Sequence, residues 1–274
     1  DPCPFPEPRT LNPLLSMTDP NWPVWLYVAA WLLPLVSFAL LVLGGKNWGK
    51  TGAYIALAAI AGSFLLSFYG LILYAKEFSP DFFSDAGAHH ESDAHEATAA
   101  HETHAAPAGT GSGAWKWSDN WFGIGARQIR MGFYVDSLTV IMFFMITLVA
   151  SLIHLFSMES MHEELHDPVH DPLAVPPGEP PLHRKGRYPR FFTYMSLFCF
   201  SMLGLVIADN AFMVFMFWEL VGLCSYLLIG FYYERNSAST AANKAFITNR
   251  VGDAGFIVGL MILWTSLGTF NIQD

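Results

Sequence analysis

The stretch "FMFWELVGLCSYLLIGFYYER", residues 215 to 235, sets one interior carboxylate, Glu219, in an apolar run. A charged carboxylate deep in a membrane helix costs about 2.5–3.5 kcal/mol on insertion scales. Such a residue faces a bundle interior or a water-filled path, unless it is held protonated in one structural interhelical hydrogen bond. Burial raises a carboxyl pKa and a nearby cation lowers it, so a buried Glu beside a movable cation can exchange a proton near neutrality. On a helix, Phe212, Phe215, Met216, Gly222, Leu223 and Tyr226 share its face, and Gly222 leaves room for a neighbouring backbone or a water.

A second group of charges lies in "NKAFITNRVGDAGFIVGL": Lys244, Arg250 and Asp253. Arg250 and Asp253 are three apart and can pair on one helical face, while Lys244 lies nearer the aqueous end. Taken singly, Lys244 and Arg250 could equally snorkel to the surface, but the short side chain of Asp253 cannot. Gly252, Gly255 and Gly259 form a small-residue stripe suited to close helix packing. His154, in "ASLIHLFSM", is either a member of a proton path or a packing hydrogen-bond donor. Asp136, in "YVDSL", reads as an N-cap.

One further motif, "HEELH" at residues 162 to 166, fits H-E-x-x-H, in which two histidines bind zinc and the Glu activates water. Taken literally it describes a membrane zinc protease. Pro168 follows at once, no third ligand is identifiable, and the Pro-rich sequence beyond cannot continue a catalytic helix. His162 and His166 are thus the zinc candidates to be named, and no metal is assigned.

Helices must position these residues. The chain of 274 residues is 53% hydrophobic and only 14% charged, which is the balance of a membrane protein. A hydrocarbon core about 30 Å thick needs roughly 20 apolar helical residues. Six segments qualify: about 24–43, 52–74, 136–157, 191–208, 211–231 and 247–268. Pro34 lies inside the first, which membrane helices tolerate, and Trp25, Tyr27, Tyr69 and Tyr74 fall near segment ends, where aromatic belts form. The short "ADN" turn makes the fourth and fifth helices antiparallel neighbours, with Asp209 or Asn210 capping the fifth.

The resulting division is an extramembrane segment at 1–23, two membrane helices at 24–74, a loop at 75–135, a third helix at 136–157, an inner-side loop at 158–190, and helices four to six at 191–274. The chain opens on Asp1 without a signal peptide, which reads as a fragment or processed piece. The loops after the first, third and fifth helices hold Lys46, Lys50, Arg184, Lys185, Arg187, Arg190, Arg235 and Lys244, against Arg9, Lys76, Lys116, Arg127 and Arg130 opposite. The positive-inside rule then places both chain ends outside. The 75–135 loop includes a His/Glu/Ala-rich then Gly-rich stretch that cannot bury a core and reads as a mobile, low-complexity insertion with loose metal affinity at most. Cys3, Cys199 and Cys224 show no CxxC, so they read as structural thiols. The net charge of −9 and the lack of a basic patch give no sign of nucleic acid.

Together, "WLLPLVSFALLVLGG", "YVDSLTVIMFFMITLVASLIHLFSMESM", "RFFTYMSLFCFSMLGLVIADN", "FWELVGLCSYLLIGFYY", "NKAFITNRVGD" and "LGTFN" resemble, in order, the antiporter-like subunits of proton-pumping respiratory complex I, and among them subunit L. The resemblance implies an all-α membrane fold, the first part of an inverted-repeat subunit. It implies that Glu219, on the fifth helix, works with a Lys on the seventh so that protons cross through a hydrated mid-membrane path. Lys244, Arg250 and Asp253 match polar or charged positions near that site. It further implies that NADH, FMN, iron-sulfur clusters and quinone belong to partner subunits, with no cofactor in this chain. The implied partners are the other membrane-arm subunits and the lipid of an energy-transducing membrane, the bacterial inner membrane or its equivalent. The His-rich insertion at 85–113 and the Pro-rich one at 162–183 look longer than the family's usual loops. The family's inverted repeats span helices four to eight and nine to thirteen, whereas this chain ends after the sixth. Multi-subunit sodium/proton antiporters share the "WEL" Glu and "LLIGF", and are the sibling alternative.

Overall fold

A computed structural model describes residues 21–44, 48–78, 114–124, 127–166, 169–171 and 182–271. Its helices are α1 (Trp22–Gly44), α2 (Gly49–Phe78), α3 (Ser137–Ser160), α4 (Tyr188–Ile207), α5 (Ala211–Ile229) and α6 (Asn236–Leu267). All six are long and apolar enough to cross a membrane. The α4 helix packs on α1, α2, α3 and α5, whereas α6 packs on α5. The most apolar stretch of α4 is 56% buried, against 11% for α5 and for α6, so α4 is the centre and the α5–α6 pair the least covered edge.

Backbone chemistry explains the first contact. Pro34 lies inside α1 and has no N–H, so the carbonyl of Ala30, four residues earlier, has no donor within its own helix. The Ser63 hydroxyl of α2 donates to that carbonyl at 2.6 Å, and both residues are fully buried. Other polar contacts join the helices at intervals: Ser67 with Thr147 at 2.8 Å, Ser37 with Ser196 at 3.2 Å, and the Trp31 indole N–H to the Phe200 carbonyl at 3.1 Å. Within a bilayer such bonds contribute about 0.6 kcal/mol each, and close packing supplies the rest.

At one end of the bundle, part of the 75–135 segment is ordered as an antiparallel hairpin, β1 (Trp115–Ile124) and β2 (Arg127–Val135), which corrects its reading as one long loop. Trp115 is buried against Tyr74 and Phe78 of α2, with ring centroids 5.2 and 5.7 Å away. Asn210 is the cap of α5: its side-chain oxygen accepts from Met213 N–H at 2.7 Å, while its amide donates to the Arg130 carbonyl of β2 at 2.7 Å. Asp136 caps α3 as its position predicts, accepting from Thr139 N–H at 2.8 Å. The His-rich insertion and residues 1–20, with Cys3, lie outside the described residues.

The opposite end also departs from a plain loop. A 3-10 turn (His162–Leu165) follows α3, and β3 (Val169–Asp171) pairs with β4 (Leu182–Arg184) ahead of α4. Buried Glu164 forms a two-pronged ion pair with Arg184 and accepts the Arg187 backbone N–H at 3.2 Å. Arg187 in turn pairs with Glu234 and donates to the Tyr233 hydroxyl at 2.6 Å, just after α5. A Cβ on Gly186 would collide with the backbone carbonyl of Glu164, so only glycine fits where the chain passes the 3-10 turn. Finally, α6 starts at Asn236, eleven residues before the predicted 247, because the segment "NSASTAANKA" is helical although too polar for a hydropathy window to register.

Candidate functional site

Glu219 faces α6, where it pairs with Arg250. The Nε of Arg250 lies 3.2 Å from Oδ2 of Asp253, one turn further along the same helix, in ion-pair contact without hydrogen-bond alignment. The other carboxylate oxygen, Oδ1, accepts from the Trp218 indole N–H at 3.2 Å. One guanidinium therefore bridges two carboxylates on two helices. The guanidinium also lies 4.8 Å from the centre of the Phe246 ring, a cation–π contact.

The sequence dictates this arrangement locally. Aromatic pairs hold α5 against α6 above and below the charges: Phe215 with Phe256 at 5.4 Å and Tyr226 with Phe246 at 5.3 Å. Between them Gly222 leaves the space through which Arg250 and Asn249 reach; a Cβ there would stand 3.7 Å from Arg250 Nη2 and 3.5 Å from Asn249 Nδ2. The room foreseen for a backbone or a water is taken by these side chains. Asp253 is 5% exposed, whereas Glu219 and Arg250 are 24% and 38% exposed, so the site opens on the Glu219 side. Two carboxylates and one guanidinium leave one excess negative charge when all are ionised.

The remaining predicted residues are not brought into this group. Lys244 lies on α6 six residues before Arg250, exposed and without an ion pair among the described residues. His154 is buried on α3, its Nδ1 2.8 Å from the Ala150 carbonyl and its Nε2 without a partner among the described residues. The packing of α3 is against α2 and α4, away from the α5–α6 pair, so His154 forms a separate polar point. The stripe of Gly252, Gly255 and Gly259 meets nothing within 4 Å among the described residues, so its expected packing has no partner here. In "HEELH" the two His rings stand 5.4 Å apart and exposed, but the turn is 3-10 and ends at Leu165. Among the described residues no three metal-ligating side chains converge. Trp218 is the member that sequence reasoning missed, since its role depends on the register between α5 and α6.

Two stretches match family models. Residues 208–274 match "NADH:quinone oxidoreductase/Mrp antiporter, TM", and residues 121–168 match "NADH-Ubiquinone oxidoreductase (complex I), chain 5 N-terminus". Both models describe complex I or Mrp antiporter proteins. The antiporter-like match contains Glu219, Lys244, Arg250 and Asp253, hence the whole α5–α6 site. Among curated relatives, subunit 5 of the chloroplast NAD(P)H-quinone oxidoreductase of Nephroselmis olivacea is 41% identical over 159 residues, 58% of this chain and 21% of that one. Chain 5 of the Synechocystis enzyme is 41% identical over 151 residues, 55% of this chain and 19% of that one. The chain thus spans about a fifth of the length of these relatives. The fold is similar to the Mrp complex from Dietzia sp. (TM-score 0.56, 16% identity, 92% of this chain and 20% of that one). It is also similar to an archaeal membrane-bound sulfane sulfur reductase (TM-score 0.54, 16% identity, 89% and 38%).

Proposed function

We propose that this chain is part of a proton-translocating membrane subunit of an NADH:quinone oxidoreductase, of the subunit L type, and that Glu219 is its proton-exchanging group. The observation that carries this reading is Arg250 held between Glu219 and Asp253. The guanidinium contacts a carboxylate on each of two helices, so a shift of Arg250 between them would move positive charge toward or away from Glu219. Trp218 holds the Asp253 oxygen that Arg250 does not use, which keeps Asp253 ready to receive the cation. Lys244 is the approach from the aqueous end, and His154 is a second, separate station. NADH oxidation, FMN, iron-sulfur clusters and quinone reduction belong to other subunits of the assembly.

Replacing Glu219 by Gln in the assembled complex is expected to lower the number of protons moved per electron pair while leaving assembly intact. Unchanged stoichiometry and turnover would overturn the assignment. The Mrp match favours a second reading, a sodium/proton antiporter subunit. Transport in sealed vesicles that requires sodium, with no coupling to NADH oxidation, would select it.

A further inference from the structure

Three cavities ring the start of α4, at the end of the bundle that carries the Glu164–Arg184 clamp. The first, about 200 Å³, lies between α4, α5 and α6 and is lined by Arg190, Tyr194, Tyr226 and Tyr233. The second, about 260 Å³, shares Arg190 and Tyr194 with it and extends to Leu41 of α1. The third, about 230 Å³, shares Gly186 and Pro189 with the second and is lined by Lys50 and Lys185. Adjoining at these shared residues, the three cavities outline a groove around the start of α4.

Its charge is unbalanced. Arg184 and Arg187, within or beside the groove, are neutralised by Glu164 and Glu234. Lys50, Lys185 and Arg190 are exposed and make no ion pair among the described residues. Of the carboxylates on this side, Glu164 reaches the groove but is held by Arg184, while Glu159 and Glu163 line none of the three cavities. Three cations thus face a concave surface at the level where membrane helices end. Tyrosines at the same level offer hydroxyl donors on rings suited to the headgroup region. Next to Leu41 in sequence, Val42 and Leu43 are 55% and 84% exposed, which gives the end of α1 an apolar surface.

We infer that this groove binds an anionic phospholipid, its phosphate on Arg190, Lys185 and Lys50 and its acyl chain along the end of α1. Basic pockets between membrane helices select anionic headgroups in this way. A free phosphate would satisfy the cations but leave the apolar surface at the end of α1 without an occupant.

The test uses the protein in its native membrane assembly, delipidated and reconstituted into nanodiscs of phosphatidylcholine with or without phosphatidylglycerol, with retained lipid counted by mass spectrometry. The wild type is expected to keep phosphatidylglycerol against a phosphatidylcholine chase. At about 1 kcal/mol per cation, the triple change Lys50→Gln, Lys185→Gln and Arg190→Gln weakens retention on the order of a hundredfold. Arg190→Lys, which keeps the charge, stays near the wild type. Should the triple variant fail to assemble, Arg190→Gln and Lys50→Gln alone are each expected to weaken retention about fivefold. Equal retention in wild type and variants overturns the site. Displacement of the lipid by inorganic phosphate at equal concentration overturns the phospholipid assignment in favour of a free-phosphate site. The readout is independent of proton transport, so it stands or falls apart from the role of Glu219.

Discussion

Arg250 is worth more to the site as a guanidinium than as a charge, because its planar fork reaches Glu219 with one nitrogen and Asp253 with another. The sequence made half of this legible: Arg250 and Asp253 at three-residue spacing announce their own contact. The link to Glu219 depends on how α5 lies against α6, which no local pattern records, and the Trp218 contact was invisible for the same reason. Ser63 illustrates a residue whose work was wholly hidden, since a serine in an apolar helix reads as ordinary polar glue. Removing its hydroxyl leaves the buried Ala30 carbonyl bare, at a cost of about 1–3 kcal/mol. Thermal unfolding in detergent is expected to show that loss for Ser63→Ala, and to show it shrink in a Pro34→Ala background, where residue 34 regains its own N–H. A penalty equal in both backgrounds refutes the pairing of Pro34 with Ser63.

Among the elements, the six membrane helices were readable from apolar run length alone, and the ends that slipped did so for definable reasons. Hydropathy ignores the polar first turns of α6, and it ignores β1 and β2, whose tryptophans and phenylalanines are spaced by polar residues. The clamp at the start of α4 joins elements distant in sequence through Arg184, Arg187, Glu164 and Glu234. Burial pushes the Glu234 carboxyl up, but the hydrogen bonds from Arg187 and the charges of Arg187 and Arg184 outweigh it, leaving it below its ordinary value. A depressed folded pKa means that the contribution of Glu234 to stability is complete above the unfolded value, near about 4.3, and is lost as pH falls through the folded one. Glu234→Gln is therefore expected to flatten the acid limb of a plot of melting temperature against pH. An acid limb identical to that of the wild type would show that the pair contributes nothing.

For the whole molecule, the hairpin and the clamp mark opposite ends of the bundle, and the positive-inside rule predicts the hairpin outside and the clamp inside. A cysteine in place of exposed Trp121 is expected to react with a membrane-impermeant maleimide from outside, and one in place of exposed Lys185 only after permeabilisation. The reverse pattern would invert the topology. The site sits on the pair of helices that the rest of the chain covers least. The bond between Ser63 and Ala30 also bears on how the protein is made. When α1 leaves the ribosome, its Pro34 leaves a carbonyl that lipid cannot satisfy, and the donor arrives 33 residues later. During biogenesis α1 is thus an unfinished span, best held at the insertion machinery until α2 emerges and the two enter the bilayer as a hairpin.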